Sequence, residues 1–299
     1  MLIRKKIFIV ASVALLSLSA VWRFALVPRW TERIPVNWEW QSDFIGVNAY
    51  PDPQTGLMPK GDITGTYTHA ITITPNSRQS GSLELEDRFL IRDVLSGKVT
   101  WEYNFRAQVA PRTGAHTKKE YQGDYFVFPR NVEQKTYQLR FSYLKGIPVS
   151  FQREEEVDGL TTYLFTYRGR GEYTEAYAGT AEYPGTKVQP GQEIKCANDE
   201  LVFKVWVEPV TGEMIKIEEN CNSNDYVYDI ASGKQLTAVD RWAGKTEGDD
   251  VINRVQRVTK ERAQLLRTTR YIPAGLLTAG LLCFGLVMLP GRSSKNETD

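Results

Sequence analysis

The chain has 299 residues, a formal net charge of +1, and hydrophobic and charged fractions of 41% and 24%. Those fractions exclude wholesale disorder, and the near-neutral balance argues against a nucleic-acid partner held by overall charge. Three cysteines are too few for a disulfide-dense scaffold, and only two histidines, His69 and His116, exclude a multi-histidine metal site.

Residues 1–6 are a short basic start carrying Arg4, Lys5 and Lys6. Residues 7–27 are an apolar run broken only by Arg23. A bilayer core of ~30 Å needs about 20 helical residues, so the run is long enough to span. A cleaved signal peptide and an uncleaved anchor both start this way. Ser17 and Ser19 offer small residues for cleavage, but the apolar pattern continues through Trp22, Phe24, Leu26 and Val27, which favours the anchor. Arg23, near the end of the run, can snorkel to the headgroups. Trp30, Trp38 and Trp40 follow and suit an interfacial belt.

Residues 28–248 read as β structure. Thr66–Thr74, Val99–Phe105, Leu160–Tyr167, Leu201–Val207 and Met214–Glu218 are rich in β-branched and aromatic residues, and several alternate. Four turn signals share the form acid-x-x-Ser/Thr-Gly: Asp52–Gly56, Asp93–Gly97, Glu208–Gly212 and Asp229–Gly233. The acid is placed to accept from the turn backbone and the glycine to adopt positive φ. This implies an antiparallel, meandering sheet. Glu154-Glu155-Glu156-Val157-Asp158 has two readings, a hard-cation site or a polar turn before Gly159, and the turn is favoured. Cys196 and Cys221 have two readings as well. A disulfide fits an exported domain, would stabilise by roughly 3 kcal/mol in the chain-entropy model, and is the favoured reading; the alternative is a pair of buried free thiols.

Residues 249–270 read as a juxtamembrane helix that Asp249 or Asp250 can cap. Its basic residues, among them Arg254, Arg257, Lys260 and Arg262, suit either anionic headgroups or a solvated face. Residues 271–290 carry no charge and read as a second membrane helix. Small residues there, including Gly275, Gly280 and Gly285, allow close helix approach but are also ordinary membrane composition. Residues 291–299 form a tail. The expected fold is therefore mainly β: an antiparallel meandering extracytoplasmic sheet domain flanked by N- and C-terminal transmembrane helices. The slight excess of basic residues at the ends places both termini in the cytoplasm of a two-pass cell-membrane protein.

No nucleophile elbow, phosphate-binding Gly-Lys-Ser/Thr loop or His-Glu-x-x-His motif is present. The expectation is a non-enzyme with no cofactor and no metal.

Several blocks resemble the porin PorA-like family. These are Arg23 with Pro28 and Pro35, Gly46–Tyr50, Phe126–Pro129 with Lys135 and Tyr137, Glu156-Val-Asp158-Gly159-Leu-Thr-Thr-Tyr163, and Trp206-Val-Glu208-Pro209-Val-Thr211-Gly212. The resemblance implies an envelope protein and, through the family name, a channel, with no catalytic residues to carry over. A lipid-spanning β-barrel conflicts with the two apolar helices. The expected partners are the lipid bilayer, an apolar envelope ligand such as a lipid, and other membrane proteins, with no nucleic acid. The leading expectation is a module that binds or transports such a ligand. The alternatives are an interaction subunit of an envelope complex and an oligomeric pore.

Overall fold

The computed structural model describes residues 2–28, 34, 38–49, 63–75, 82–92, 97–121, 123–174 and 192–289. Two compact units divide the chain: residues 34–259, and residues 1–33 with 260–299.

The larger unit is a twelve-stranded sheet. In chain order its strands are β1 (Trp38–Ala49), β2 (Ile63–Pro75), β3 (Leu83–Arg92), β4 (Val99–Val109), β5 (Asp124–Tyr125), β6 (Thr136–Leu139), β7 (Ile147–Val157), β8 (Leu160–Glu172), β9 (Ile194–Val207), β10 (Met214–Cys221), β11 (Asp225–Asp229) and β12 (Gln235–Thr246). The hydrogen-bonded order is β4-β3-β2-β1-β12-β10-β9-β8-β7-β6-β5, with β11 pairing β12 and β9. Two meanders are thus joined where β12 returns beside β1. All pairs are antiparallel except β5 with β6.

The two outer strands of this path are themselves joined. His116 bridges Val109 of β4, and Ala115 bridges Tyr125 of β5. The amides of Thr117 and His116 donate to Gln108 and Asp124 carbonyls, at 2.9 Å each. The sheet therefore closes on itself, which removes its free edges. The meander was legible in the sequence, whereas the closure adds a feature that alternation does not encode.

Alternation along each strand sorts the faces. Tyr67, His69, Ile71 and Ile73 of β2 and Leu83, Leu85, Asp87 and Phe89 of β3 are buried. Their neighbours Glu84, Glu86, Arg88, Glu102 and Arg106 lie on the outer face, where Arg88 pairs with Glu102 at 2.7 Å. A membrane barrel has the reverse arrangement, apolar outside and polar within. Gly46 on β1 has a backbone reason: a Cβ there would stand 2.6 Å from the Ala243 carbonyl oxygen.

Four acid-x-x-Ser/Thr-Gly turns were expected. Two are described in full. Asp229 Oδ1 accepts from Ser232 N and Oγ at 2.6 Å, ahead of Gly233 at φ +68°. The Glu208 turn follows below. Of Asp93–Gly97 only Gly97, at φ +66°, is described. Asp52–Gly56 lies outside the described residues.

After β12 comes α2 (Gly248–Leu266). Its first half belongs to the β unit, where Val251, Val255 and Val258 pack on Leu160 and Ile215. Asp250 does not cap its own helix. Its carboxylate accepts from Ser42 Oγ, Asp43 N and Arg254, at 2.9, 3.2 and 2.6 Å.

The smaller unit holds α1 (Leu2–Val21), a π-helical turn at Trp22–Leu26, a second at Arg267–Tyr271, and α3 (Ile272–Met288). Lys5–Leu26 and Gly248–Met288 are helical stretches long enough, and over 18 residues apolar enough, to cross a membrane. Within this unit Ser12 Oγ donates to Gly280 O, Ser19 Oγ to Pro273 O and Trp22 Nε1 to Thr268 O, each at 2.9 Å. Gly280 is where α1 and α3 meet, since a Cβ there would lie 2.9 Å from the Leu16 side chain. Gly275 and Gly285 face open space.

Candidate functional site

The inward side chains of the closed sheet form one aromatic-rich core. Strands alone do not fill it. The connection from β6 to β7, residues 140–146, crosses the interior as a plug. Phe141, Tyr143 and Leu144 on it are buried. The Phe141 ring stands edge-on to His69 at 4.9 Å and packs on Phe203 at 5.7 Å. Tyr143 packs on Phe89 at 4.7 Å and Trp242 at 6.2 Å. These partners come from β2, β9, β3 and β12.

Polar groups fix the plug on two walls. On β3, Asp87 accepts from His69 Nε2 at 2.6 Å and from Ser142 N at 2.5 Å. On β10, Glu219 accepts from Tyr143 Oη at 2.8 Å. Burial pushes the Glu219 carboxyl up to about 8, with the Tyr143 hydrogen bond opposing more weakly, so at neutral pH it carries a proton. Beyond it Asp225 is buried, accepting from Asn198 Nδ2 at 2.6 Å. Burial first and Asp240, its register partner, second hold the Asp225 carboxyl well above the usual range.

Cys196 and Cys221 border this cluster as free thiols, which corrects the expected disulfide. The strand registers give the reason. Cys221 pairs with Leu201 on β9, whereas Cys196 pairs with Val227 on β11, so the two are not cross-strand partners. Cys221 Sγ instead lies 3.6 Å from Tyr173 Oη. Burial pushes both thiols well up, which keeps them protonated and unreactive.

Around the first half of α2 the sheet is tied to the helix by two of the basic residues noted in the sequence. Met214 and Lys216 flank a bulge in β10, and Ile215 points from it to α2. Arg254, 3% exposed, donates to the carbonyls of Met214, Ile215 and Gln41 and to Asp250, and lies 4.8 Å over the Trp40 ring. Trp40 Nε1 also donates to Met214 O, at 3.0 Å. Arg257 is bound twice by Glu213. These two arginines are therefore both engaged by the sheet.

The Glu208 carboxylate accepts from Val210 N and Thr211 N at 3.1 and 2.7 Å. The same turn takes hold of the 128–132 segment, where Val132 N donates to Pro209 O at 2.7 Å. Gly212, at φ +78°, is required twice over, because a Cβ would meet the Pro129 carbonyl oxygen at 2.4 Å. In the β7–β8 hairpin Asp158 and Gly159 take φ +47° and +81°. Leu160 beyond them packs under α2. Glu156 pairs in register with Thr161. Tyr163 packs on Phe151 at 5.2 Å. Trp206 Nε1 donates to Glu155 at 2.5 Å. The acidic cluster is thus a hairpin with a tryptophan contact, as the turn reading expected. Arg23 sits in the first π-helical turn and Pro28 just beyond it, and Pro35 lies outside the described residues.

Sequence reasoning passed over the interior polar groups and the plug. One signal was available: His69 and Asp87 occupy inward positions of otherwise apolar alternating strands. The plug hides behind a misleading signal, because Phe141 and Tyr143 continue the alternation of Tyr137 and Leu139 and so read as more strand.

A closed sheet with an apolar interior and a charged outer face, in a chain with two apolar helices, defines a class: a membrane protein presenting a water-facing β-domain. The family model described as Porin PorA matches residues 106–289, more than half of the chain. The chain belongs to the Porin PorA family. The match begins beyond Arg23, Pro28 and Pro35 and includes the Glu156–Tyr163 and Trp206–Gly212 blocks. No curated protein matches the chain. Among solved structures, an N-terminal dehydratase from the difficidin assembly line is 10% identical over 73% of this chain and 82% of that one, with a TM-score of 0.12. A score that low carries no argument about fold or chemistry.

Proposed function

We propose that this protein binds a lipid or other apolar envelope molecule in its β-domain and holds or passes it at the membrane. The observation that carries the reading is the plug. The closed sheet encloses an apolar, aromatic-rich interior, and part of its filling comes from one loop rather than from the walls. Closed antiparallel barrels of this kind are a recurring container for small apolar ligands. A guest would displace Phe141 and Tyr143 and leave the strand ladder intact. The Asp87 and Glu219 anchors give the loop a defined seat to return to. On this reading the protein is a binding protein rather than an enzyme, its β-domain is extracytoplasmic, and both termini are cytoplasmic.

The family name raises a pore. The charged outer face of β3 and β4 argues against this β-domain being a lipid-embedded channel. A second reading, an interaction subunit of an envelope complex, is favoured by α3. Gly275 and Gly285 have open space around them and would admit a further membrane helix.

The test is native mass spectrometry of the full-length protein after extensive detergent exchange, beside analysis of its organic extract. One apolar molecule retained per chain is the expected result. A ligand-free chain that also takes up none from added envelope lipid would sink the binding reading.

A further inference from the structure

We propose that the seam closing the sheet between β4 and β5 is an acid-operated latch, in which protonation of His116 releases the 115–117 bridge and frees the plug loop behind it. The proposal is independent of what the interior binds.

The seam is the thinnest part of the wall. Much of the wall pairs over many residues, as in β2 with β3 from Thr66 to Pro75, and even β10 with β12 keeps a run of three register pairs. At the seam, β5 has two residues and pairs parallel with β6. It reaches β4 only through the 115–117 segment, with single bridges at His116 and Ala115. Few hydrogen bonds separate the closed from the open form, so local opening costs least there.

His116 is the side chain that this segment buries, at 4% exposed. Its ring is enclosed by Tyr121, Phe126 and Phe105, with centroids 4.7, 5.7 and 6.2 Å away. Neither ring nitrogen has a hydrogen-bond partner among the described residues. A neutral imidazole tolerates an aromatic box of this kind. An imidazolium does not, because it brings two donors and a charge with no acceptor to receive them.

The charged groups around it reinforce this. The Arg140 guanidinium lies 4.3 Å over the Tyr121 ring and 5.4 Å over Phe105, and donates to Asp124 at 3.2 Å. Lys118 stands on the segment itself. Asp124, the described carboxylate on this side, is engaged by Arg140 and is not bonded to the ring. Burial first, then Arg140 and Lys118, push His116 down to about 4. The open form regains the ordinary value of 6.5. The open form therefore binds more protons between these values, and closure weakens as pH falls from about 6.5 to about 4.

Opening reaches the plug through Arg140, its first residue. Arg140 N donates to Tyr125 O at 2.8 Å, and its side chain forms part of the His116 surroundings. Loss of the seam removes the Tyr121 and Phe105 rings on which the Arg140 side chain rests, and so loosens one end of the loop.

The test is hydrogen exchange on the full-length protein in detergent at pH 7, 5 and 4, corrected for the intrinsic pH dependence. The amides of His116 and Thr117 report on the seam, and those of Phe203 and Val205 on β9 serve as the control. The wild type is expected to lose protection at the seam on the order of a hundredfold between pH 7 and pH 4, with β9 unchanged. His116→Phe, which keeps an aromatic ring without a titrating group, is expected to hold its seam protection. Lys118→Met, at an exposed site, is expected to show a smaller loss than wild type, and it supplies the test if the phenylalanine variant does not fold. Seam protection that survives at pH 4 in the wild type would overturn the proposal. So would equal loss in His116→Phe, loss in Lys118→Met as large as in wild type, or loss at β9 in step with the seam.

Discussion

Two regions of the β-domain wall are built by opposite means. The wall under α2 is over-determined. Arg254 satisfies three backbone carbonyls, Arg257 grips Glu213, and the Glu208 turn is tied to the 128–132 segment. The seam between β4 and β5 is held by a three-residue bridge and a buried histidine with no hydrogen-bond partner among the described residues. Their responses to pH also differ in sign. The Glu219 carboxyl, facing the plug from β10, the strand whose Ile215 packs under α2, is raised, so its contribution is complete below 4.5 and is lost as pH rises through about 8. His116 is lowered and weakens the seam as pH falls. A domain with one firm wall and one weak seam opens in a defined place.

The comparison can be broken from its firm side. Arg254→Met leaves buried carbonyls and Asp250 without their donor, and is expected to cost about 3–5 kcal/mol in denaturant unfolding of the full chain. A loss near zero would mean that α2 does not clamp this wall. Next in size is Glu219→Gln. The stability of wild type relative to the variant, which still accepts from Tyr143 and keeps every other titrating group, is expected to fall between pH 4.5 and about 8 by an amount on the order of 3 kcal/mol. Unfolding curves at pH 5 and 8 measure this, and parallel slopes for the two proteins would contradict it.

Gly212→Ala puts a side chain into a positive-φ position against two carbonyl oxygens and is expected to cost about 2 kcal/mol, read by thermal unfolding. The smallest effect is expected at the seam. Thr117→Val removes the 3.1 Å side-chain bond to Gln108 O, at an exposed site, and is expected to cost about 0.5 kcal/mol globally while raising exchange at the seam alone. A cost matching that of Arg254→Met would erase the distinction between the two regions.

The turn and hairpin of the firm wall were legible in the sequence, because local chemistry builds them. The acid-x-x-Ser/Thr-Gly signals gave the turns, and the blocks that resembled the PorA-like family fall on the Glu208 turn and the β7–β8 hairpin. The seam and plug were not legible. Closure depends on where β4 and β5 meet across the ring, which no local period records. Phe141 and Tyr143 continue the alternation of β6 past its end at Leu139, so the pattern reads as strand where the chain turns into the interior. The cysteine pair misled for a related reason: spacing along the chain says nothing of register, and it is register that separates Cys196 from Cys221. Arg254 and Arg257 read as part of a surface stripe because a charge pattern does not reveal which carbonyls lie beneath it.

The claim that the β-domain interior receives an apolar guest is tested most directly by a photoactivatable acyl probe added to membranes holding the full-length protein, with crosslinked peptides mapped by mass spectrometry. The account predicts crosslinks on the plug and on the inward residues it covers, Phe89, Phe203 and Trp242, in addition to α1 and α3. Crosslinks confined to the two apolar helices, with none in residues 38–246, would contradict it.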